Sequence, residues 1–187
     1  MMTERELMLR GKMYDPMDPE LVAARHRARL LFQRINVMTD DEREERNKLV
    51  KELVGSSGPD LWIEPPFFCD YGENIHLGKK VFMNFGCCIL DVAEVFIGDH
   101  AMIGPNVQIY TATHPLEAKA RNSGRELGKS ITIGNNVWIG GNATICPGIT
   151  IGNNVVIGAG AVVTKSFPHD VFIAGNPARI IKTINNA

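Results

Sequence analysis

One aliphatic position returns every sixth residue: Ile97, Ile103 and Ile109, then Ile133, Ile139, Ile145, Ile151, Ile157 and Val163. A second small or aliphatic series runs two residues earlier, through Val95, Ala101 and Val107, then Ile131, Val137, Ala143, Ile149, Val155 and Ala161. Glycine follows the first series at Gly98, Gly104, Gly134, Gly140, Gly152 and Gly158. Residues two apart on a strand share a face, so each repeat reads as a very short strand with two inward side chains and a turn near the glycine. A helix of about 3.6 residues per turn does not hold such a period. One repeat has no core of its own, and stacking buries the faces, which predicts a β-solenoid. The beat starts near Ile75 and Leu77, passes Val81/Met83 and Cys87/Ile89, and gains two residues around 91–94.

Three stretches depart from the beat. Residues 1–56 carry helix signals instead. Asp18-Pro19 is an N-cap followed by proline at the first helical position. Leu21, Ala24, Ala28, Leu31, Phe32 and Ile35 mark one face, and Asn36 closes that helix. Thr39 with Glu42 is a capping box for a second helix, whose stripe is Leu49, Val50, Leu53 and Val54. Residues 61–66 read as an irregular lead-in to a solenoid spanning 57–176. An excursion at 110–130 has no usable repeat, and a loop this long inside a repeat array points to function or disorder. After an apolar strand at 171–174, residues 177–187 form a tail in which Ala178 to Lys182 is expected to be helical.

Composition narrows the functional classes. The chain has 187 residues, 44% of them hydrophobic, and a net charge of −1. Without clustered Lys and Arg, neither a nucleic acid nor a membrane surface is an expected partner. No apolar stretch approaches the roughly 20 residues that span a bilayer. The N-terminus lacks the apolar segment of a signal peptide, and a cytoplasmic location is expected. Cys69, Cys87, Cys88 and Cys146 lack Cys-x-x-Cys spacing and read as free, structural thiols, Cys87 and Cys88 pointing to opposite faces.

An ordered set of motifs carries a family resemblance over nearly the whole chain. It comprises Gly11-Lys-Met-Tyr14-Asp15, Cys69-Asp70-Tyr71-Gly72, Tyr110-Thr-Ala-Thr-His114-Pro115 and Asn122-Ser-Gly-Arg-Glu126-Leu-Gly-Lys129. Further on come Ile133 to Gly141 with Trp138, Gly158 to Lys165, and Gly175-Asn-Pro-Ala-Arg179. The chain resembles the maltose and galactoside O-acetyltransferases of the hexapeptide-repeat superfamily. The resemblance implies a mainly β fold, a left-handed parallel β-helix, against the usual right-handed crossover rule. It also implies acetyl-CoA as co-substrate, no required metal, a sugar acceptor such as maltose, glucose or a galactoside acetylated at its 6-hydroxyl, and a homotrimer with sites between subunits.

Acetyl transfer from a thioester to an alcohol needs a base, donors for the oxyanion, and an acceptor held beside the thioester carbon. His114 is the candidate base, at the start of the excursion, and imidazoles titrate near neutrality. A loop histidine without a role is the plainer alternative, and the resemblance decides for catalysis. His76, His100 and His169 fall at turns and read as structural or solvated. Asn84 follows inward Met83 and so faces outward; the resemblance places it in the catalytic cleft, orienting acceptor or oxyanion. It also matches Asp15, Asp70 and Asp91 to sugar-binding positions, with Asp18 a close competitor for Asp15. Glu126 shares the loop with His114 and is a candidate to orient its imidazole, or a solvated carboxylate.

Trp138 stands between inward Val137 and Ile139 and must point outward, which marks an interface or ligand surface. Gly141 lets a ligand approach the backbone, and its N–H is an oxyanion donor candidate. Ala159, Thr164 and Lys165 match positions along a pantetheine and phosphate path. Arg179 and Lys182 form a small basic cluster suited to the phosphates of CoA, or simply a charged tail.

Three other readings compete. A γ-class carbonic anhydrase on the same fold needs three zinc-binding histidines with a closely spaced pair, and His76, His100 and His114 are widely separated. An acetyltransferase with a serine, xenobiotic or lipo-oligosaccharide acceptor remains open. A purely structural solenoid has no need of the interruption that carries His114.

Overall fold

A computed structural model describes residues 2–186. The N-terminal segment folds as three helices. The second, α2 (Pro19–Val37), starts at the Asp18 cap and buries Leu21, Ala28, Leu31 and Ile35. A 3-10 turn, Asp40–Glu42, leads from the Thr39/Glu42 capping box into α3 (Arg43–Leu53). One helix goes beyond those named from the sequence, and one expectation is corrected. A six-residue helix, α1 (Glu4–Leu9), precedes the others, and its signal was the capping box of Thr3 and Glu6. Asn36 does not close α2. Its side chain clamps the Phe67 backbone instead, accepting from N–H at 2.8 Å and donating to C=O at 2.9 Å.

The rest of the chain winds as a left-handed β-helix of three parallel sheets. The first sheet stacks Ser56–Ser57, Ile75–Leu77, Val95–Ile97, Ile131–Ile133 and Thr150–Ile151. The second stacks Trp62–Ile63, Phe82–Met83, Met102–Ile103, Trp138–Ile139, Val156–Ile157 and Val171–Ala174. The third stacks Phe68–Cys69, Cys88–Leu90, Gln108–Tyr110, Thr144–Ile145 and Val162–Val163. The solenoid therefore begins at Ser56, and the expected lead-in at 61–66 is part of its first coil. Ile63 aligns in register with Met83, and Met83 with Ile103, although no Ile-Gly pair marks that coil.

Close approach between coils explains the glycines. A Cβ on Gly98 would lie 2.4 Å from Asn135 Oδ1, and one on Gly134 would lie 2.5 Å from Asn153 Oδ1. Those oxygens accept from the preceding coil: Asp99 N–H donates to Asn135 Oδ1 and Asn135 N–H to Asn153 Oδ1, each at 2.8 Å. His169 ends the ladder, its Nδ1 accepting Asn153 N–H at 2.7 Å. Next along the same corner, Lys80, His100, Asn136, Asn154 and Asp170 turn with φ between 54° and 58°. His100 and His169 are thus corner residues.

Two departures from regularity build the functional region. The excursion leaves after Tyr110 and forms an antiparallel ribbon of Ala112–Thr113 with Leu127–Gly128, joined through α4 (Ala118–Arg121). The C-terminal helix expected at 178–182 is absent: Arg179–Thr183 is a strand, antiparallel to Val171–Ala174. Gly175 and Pro177 reverse the chain, Ile180, Ile181 and Thr183 are β-branched, and the last coil offers an edge that a helix would leave unpaired. Among the described residues no helix is long and apolar enough to cross a membrane.

Candidate active site

The sequence-derived site residues fall into two groups on different corners of the prism. The first lines a groove of about 840 Å³ on the outer face of the second sheet. Its floor is the outward row Phe82, Met102, Trp138, Val156 and Phe172, aligned strand to strand. Trp138 is 54% exposed there, as its position between two inward residues requires. Asn84, Gly141 and Ala159 form one edge, and Lys182 lines the other from the terminal strand, opposite Phe172.

The edge has a useful pattern of amides. Phe85, Pro105, Gly141 and Ala159 occupy the same corner in successive coils. Phe85 N–H donates to Asn84 Oδ1 at 2.8 Å, and Pro105 has none to give. The amides of Gly141 and Ala159 find no acceptor among the described residues. A Cβ on Gly141 would press within 3.1 Å of Pro105 O, so glycine keeps this corner narrow. The groove thus offers an apolar floor beside two free backbone donors and the Asn84 amide. Ala159 was expected from its motif; the free amide beside it was not legible, because it depends on which coil supplies an acceptor.

Arg179 and Lys165 are exposed, as is Thr164. Arg179 donates to Ala178 O at 2.9 Å, and Lys165 Nζ lies 5.6 Å from the Phe167 ring. None of the three lines the groove itself.

The second group gathers where the excursion meets the N-terminal helices. Asp70, half-buried, has a carboxyl raised above the usual range by burial and by nearby Glu126, with Arg25 and Arg29 opposing. Asp15 is exposed and accepts Met17 N–H at 2.9 Å. Asp18 is committed to capping α2 through Glu20 N–H at 3.0 Å. Asp91 corrects the sequence-based expectation. It is fully buried, and its oxygens accept the amides of Asp70 and Tyr71, each at 2.9 Å, and Asn74 at 3.3 Å. It occupies the corner that gained two residues and shapes the Asp70 loop from inside, so it does not face an acceptor.

Glu126 is also reassigned. Its carboxylate accepts the Tyr14 hydroxyl at 2.7 Å and makes no bond to His114. His114 is exposed, directly after the ribbon strand, and has no hydrogen-bond partner among the described residues. It does not line the groove that holds Asn84 and Gly141. Within one chain His114 and the groove residues therefore stand apart. Tyr14, Arg25 and Tyr71 were missed as site residues. Arg25 donates to the Tyr71 hydroxyl at 2.6 Å and to Pro16 O at 2.5 Å, binding α2 to the Asp70 loop. Tyr14 and Tyr71 sat inside the quoted motifs, but nothing local in the sequence marks their long-range partners.

The cysteines are free, as expected. Burial pushes Cys87 and Cys88 up to about 11, which keeps both protonated at neutral pH. Cys87 points inward and Cys88 outward. His76 bridges Ser56 Oγ at 3.0 Å and Glu94 at 2.5 Å on the first sheet, away from both groups.

This architecture, short coils with a helical cap and an interrupting ribbon, defines a hexapeptide-repeat transferase. Residues 7–58 match the maltose acetyltransferase hexapeptide capping motif, and residues 130–165 match the bacterial transferase hexapeptide of six repeats. The crystal structure of a maltose O-acetyltransferase from Clostridium difficile superposes with a TM-score of 0.98 at 50% identity, over 99% of both chains. A galactoside acetyltransferase in complex with coenzyme A superposes with a TM-score of 0.96 at 41% identity, over 100% of this chain and 93% of that one. The galactoside O-acetyltransferase of Escherichia coli is 43% identical over 185 residues, 99% of this chain and 90% of its own. The chain belongs to the maltose and galactoside O-acetyltransferase family.

Proposed function

We propose that this protein moves the acetyl group of acetyl-CoA to the 6-hydroxyl of a glucosyl or galactosyl sugar, and that each site is built by two subunits of a homotrimer. The observation that carries the reading is the apolar groove edged by the two open amides of Gly141 and Ala159. A pantetheine arm alternates methylenes with amide carbonyls, and such a groove suits both. Lys182 at the rim, with Arg179, Lys165 and Thr164 beyond it, matches the phosphates at the far end of CoA. A relative of this chain is known in complex with coenzyme A, which supports the assignment.

The chemistry then follows from the residues. His114 takes the proton of the acceptor hydroxyl as that oxygen forms a bond to the thioester carbonyl carbon. The Gly141 N–H and the Asn84 side-chain NH2 stabilise the charge that develops on the carbonyl oxygen. When the carbon–sulfur bond breaks, the imidazolium returns the proton to the departing thiolate. Asp70 and Asp15 hold the remaining sugar hydroxyls, since a carboxylate accepts several hydrogen bonds. The primary 6-hydroxyl is the least hindered alcohol on the ring and reaches furthest into a cleft.

Two features support assembly. Trp138 and Met102 leave an apolar row more than half exposed, at 54% and 56%, and the terminal strand exposes Ile180 and Ile181. A neighbouring copy covers them and brings its excursion, with His114, to the groove. The site acts in the cytoplasm, whose reducing conditions suit four free thiols. Release of CoA with glucose, maltose or a galactoside, set against 6-deoxyglucose, tests the reading. Turnover with the first three and none with the fourth is expected. Turnover restricted to a non-sugar alcohol or amine would overturn the acceptor assignment.

A further inference from the structure

The ribbon that bears His114 is anchored differently at its two ends. At the solenoid end, Thr111 Oγ1 donates to Leu90 O at 2.6 Å and accepts Ala93 N–H at 3.0 Å. Lys129 N–H closes the same end on Thr111 O at 2.9 Å. In the middle, Gly128 is pressed between the solenoid and the N-terminal turn. A Cβ there would lie 2.9 Å from Val92, and a Cβ on Gly11 would lie 3.0 Å from Gly128 O. Among the described residues the far end makes no solenoid hydrogen bond of this kind. Continuing the register Ala112↔Gly128 and Thr113↔Leu127 puts His114 level with Glu126.

What holds that far end is residue 14. Tyr14 and Glu126 exchange both backbone bonds at 3.1 Å, so Tyr14 acts as a third, one-residue strand of the ribbon. The Tyr14 side chain is fully buried among Met8, Leu21, Tyr71 and Val92, against which Ala112 also packs. From that socket its hydroxyl reaches Glu126 Oε2 at 2.7 Å. Burial and the facing carboxylate raise the phenol well above its ordinary value, so it stays a donor. Arg125 adds a second tie, to Glu4 at 3.2 Å and Met13 O at 3.1 Å. Neither Tyr14 nor Glu126 lines the groove.

We propose that Tyr14 is a positioning residue for His114: its buried hydroxyl, locked on Glu126, sets the far end of the ribbon and so the place of the imidazole. The N-terminal capping segment thereby takes part in the reaction through geometry, beyond closing the end of the solenoid. The proposal rests on the reading of His114 as the base. It differs from a direct pairing of Glu126 with the imidazole, because it asks Glu126 for an acceptor atom and not for a charge.

The test compares Tyr14→Phe, Glu126→Ala, Glu126→Gln and the double variant Tyr14→Phe/Glu126→Ala in full-length protein. Steady-state rates with acetyl-CoA and a sugar are measured beside amide hydrogen exchange across 110–130. Tyr14→Phe keeps the ring and loses one charge-assisted bond, so kcat should fall about tenfold while the KM for acetyl-CoA stays within about twofold. Exchange in the excursion should quicken about tenfold, without change in the solenoid strands. The double variant should lose no more than the worse single one, since both break one link. Glu126→Gln should recover most of the loss seen with Glu126→Ala, with the pH midpoint of the rate unmoved. The proposal is overturned by a Tyr14→Phe protein whose kcat or excursion exchange matches wild type. It is equally overturned by additive losses, or by a Glu126→Gln protein as slow as Glu126→Ala with a shifted midpoint. If Tyr14→Phe does not fold, the two Glu126 variants decide in the same terms. Failure of the base reading shows separately, as a His114→Ala protein that keeps its rate, and the exchange result still judges the clamp.

Discussion

At the scale of single residues, two side chains that the sequence grouped together have opposite fates. His114 is exposed and has no hydrogen-bond partner among the described residues, which suits the proposed base. His114→Ala should lower kcat roughly 10²–10⁴-fold with little change in acetyl-CoA affinity. A variant keeping more than about a tenth of wild-type kcat would remove it as the base. Asp91 is buried beneath the loop that presents Asp70. Asp91→Ala strands three backbone donors and should cost about 2–4 kcal/mol in urea unfolding, with acetyl-CoA affinity retained. Burial lifts this carboxyl from 3.8 to about 7, against the pull of its amide bonds. Between about pH 4 and 7 the folded chain therefore holds a proton that the unfolded chain has released. The stabilisation from this group is complete below about pH 4 and is lost as pH rises from there towards 7. Comparing unfolding of wild type and Asp91→Asn at pH 5 and 7.5 checks the sign: the wild type should lose its relative advantage at the higher pH.

At the scale of elements, the solenoid was legible because its period is short and its inward positions tolerate few residue types. Ile97, Ile133 and Ile151, all on the beat, stack in register. The first coil was not legible, since its inward positions, Ile63 and Cys69, come without the Ile-Gly pair. The terminal strand was misread because Arg and Lys in a tail look helical in isolation, and its conformation is set by the open edge of Val171–Ala174. Its placement brings Lys182 to the groove rim. Lys182→Ala and Arg179→Ala should raise the KM for acetyl-CoA far more than that for the sugar. With acetyl-pantetheine as donor, which lacks the distal phosphates, variant and wild type should match; a difference that persists would place these residues elsewhere. The ties of Tyr14 to Glu126 and of Arg25 to Tyr71 were out of reach of pattern, because the partners lie 112 and 46 residues apart in the chain.

At the scale of the whole molecule, His114 and the groove with Asn84 lie apart in one chain, and the proposed trimer is what would bring them together. The amide-edged groove with Asn84 sits at the corner between the second and third sheets, and His114 leaves the chain past the third sheet. The exposed Trp138 row and the terminal strand are the apolar surface that the proposed trimer would cover. Sedimentation at micromolar concentration should give a trimer. The most direct measurement mixes two inactive proteins, His114→Ala and Asn84→Ala, unfolds them together and refolds them at equal amounts. If each site takes His114 from one subunit and Asn84 from the next, about a quarter of the sites regain both residues, and activity returns to roughly that fraction of wild type. If both residues serve from the same chain, the mixture stays as inactive as its parents, and the site between subunits is contradicted.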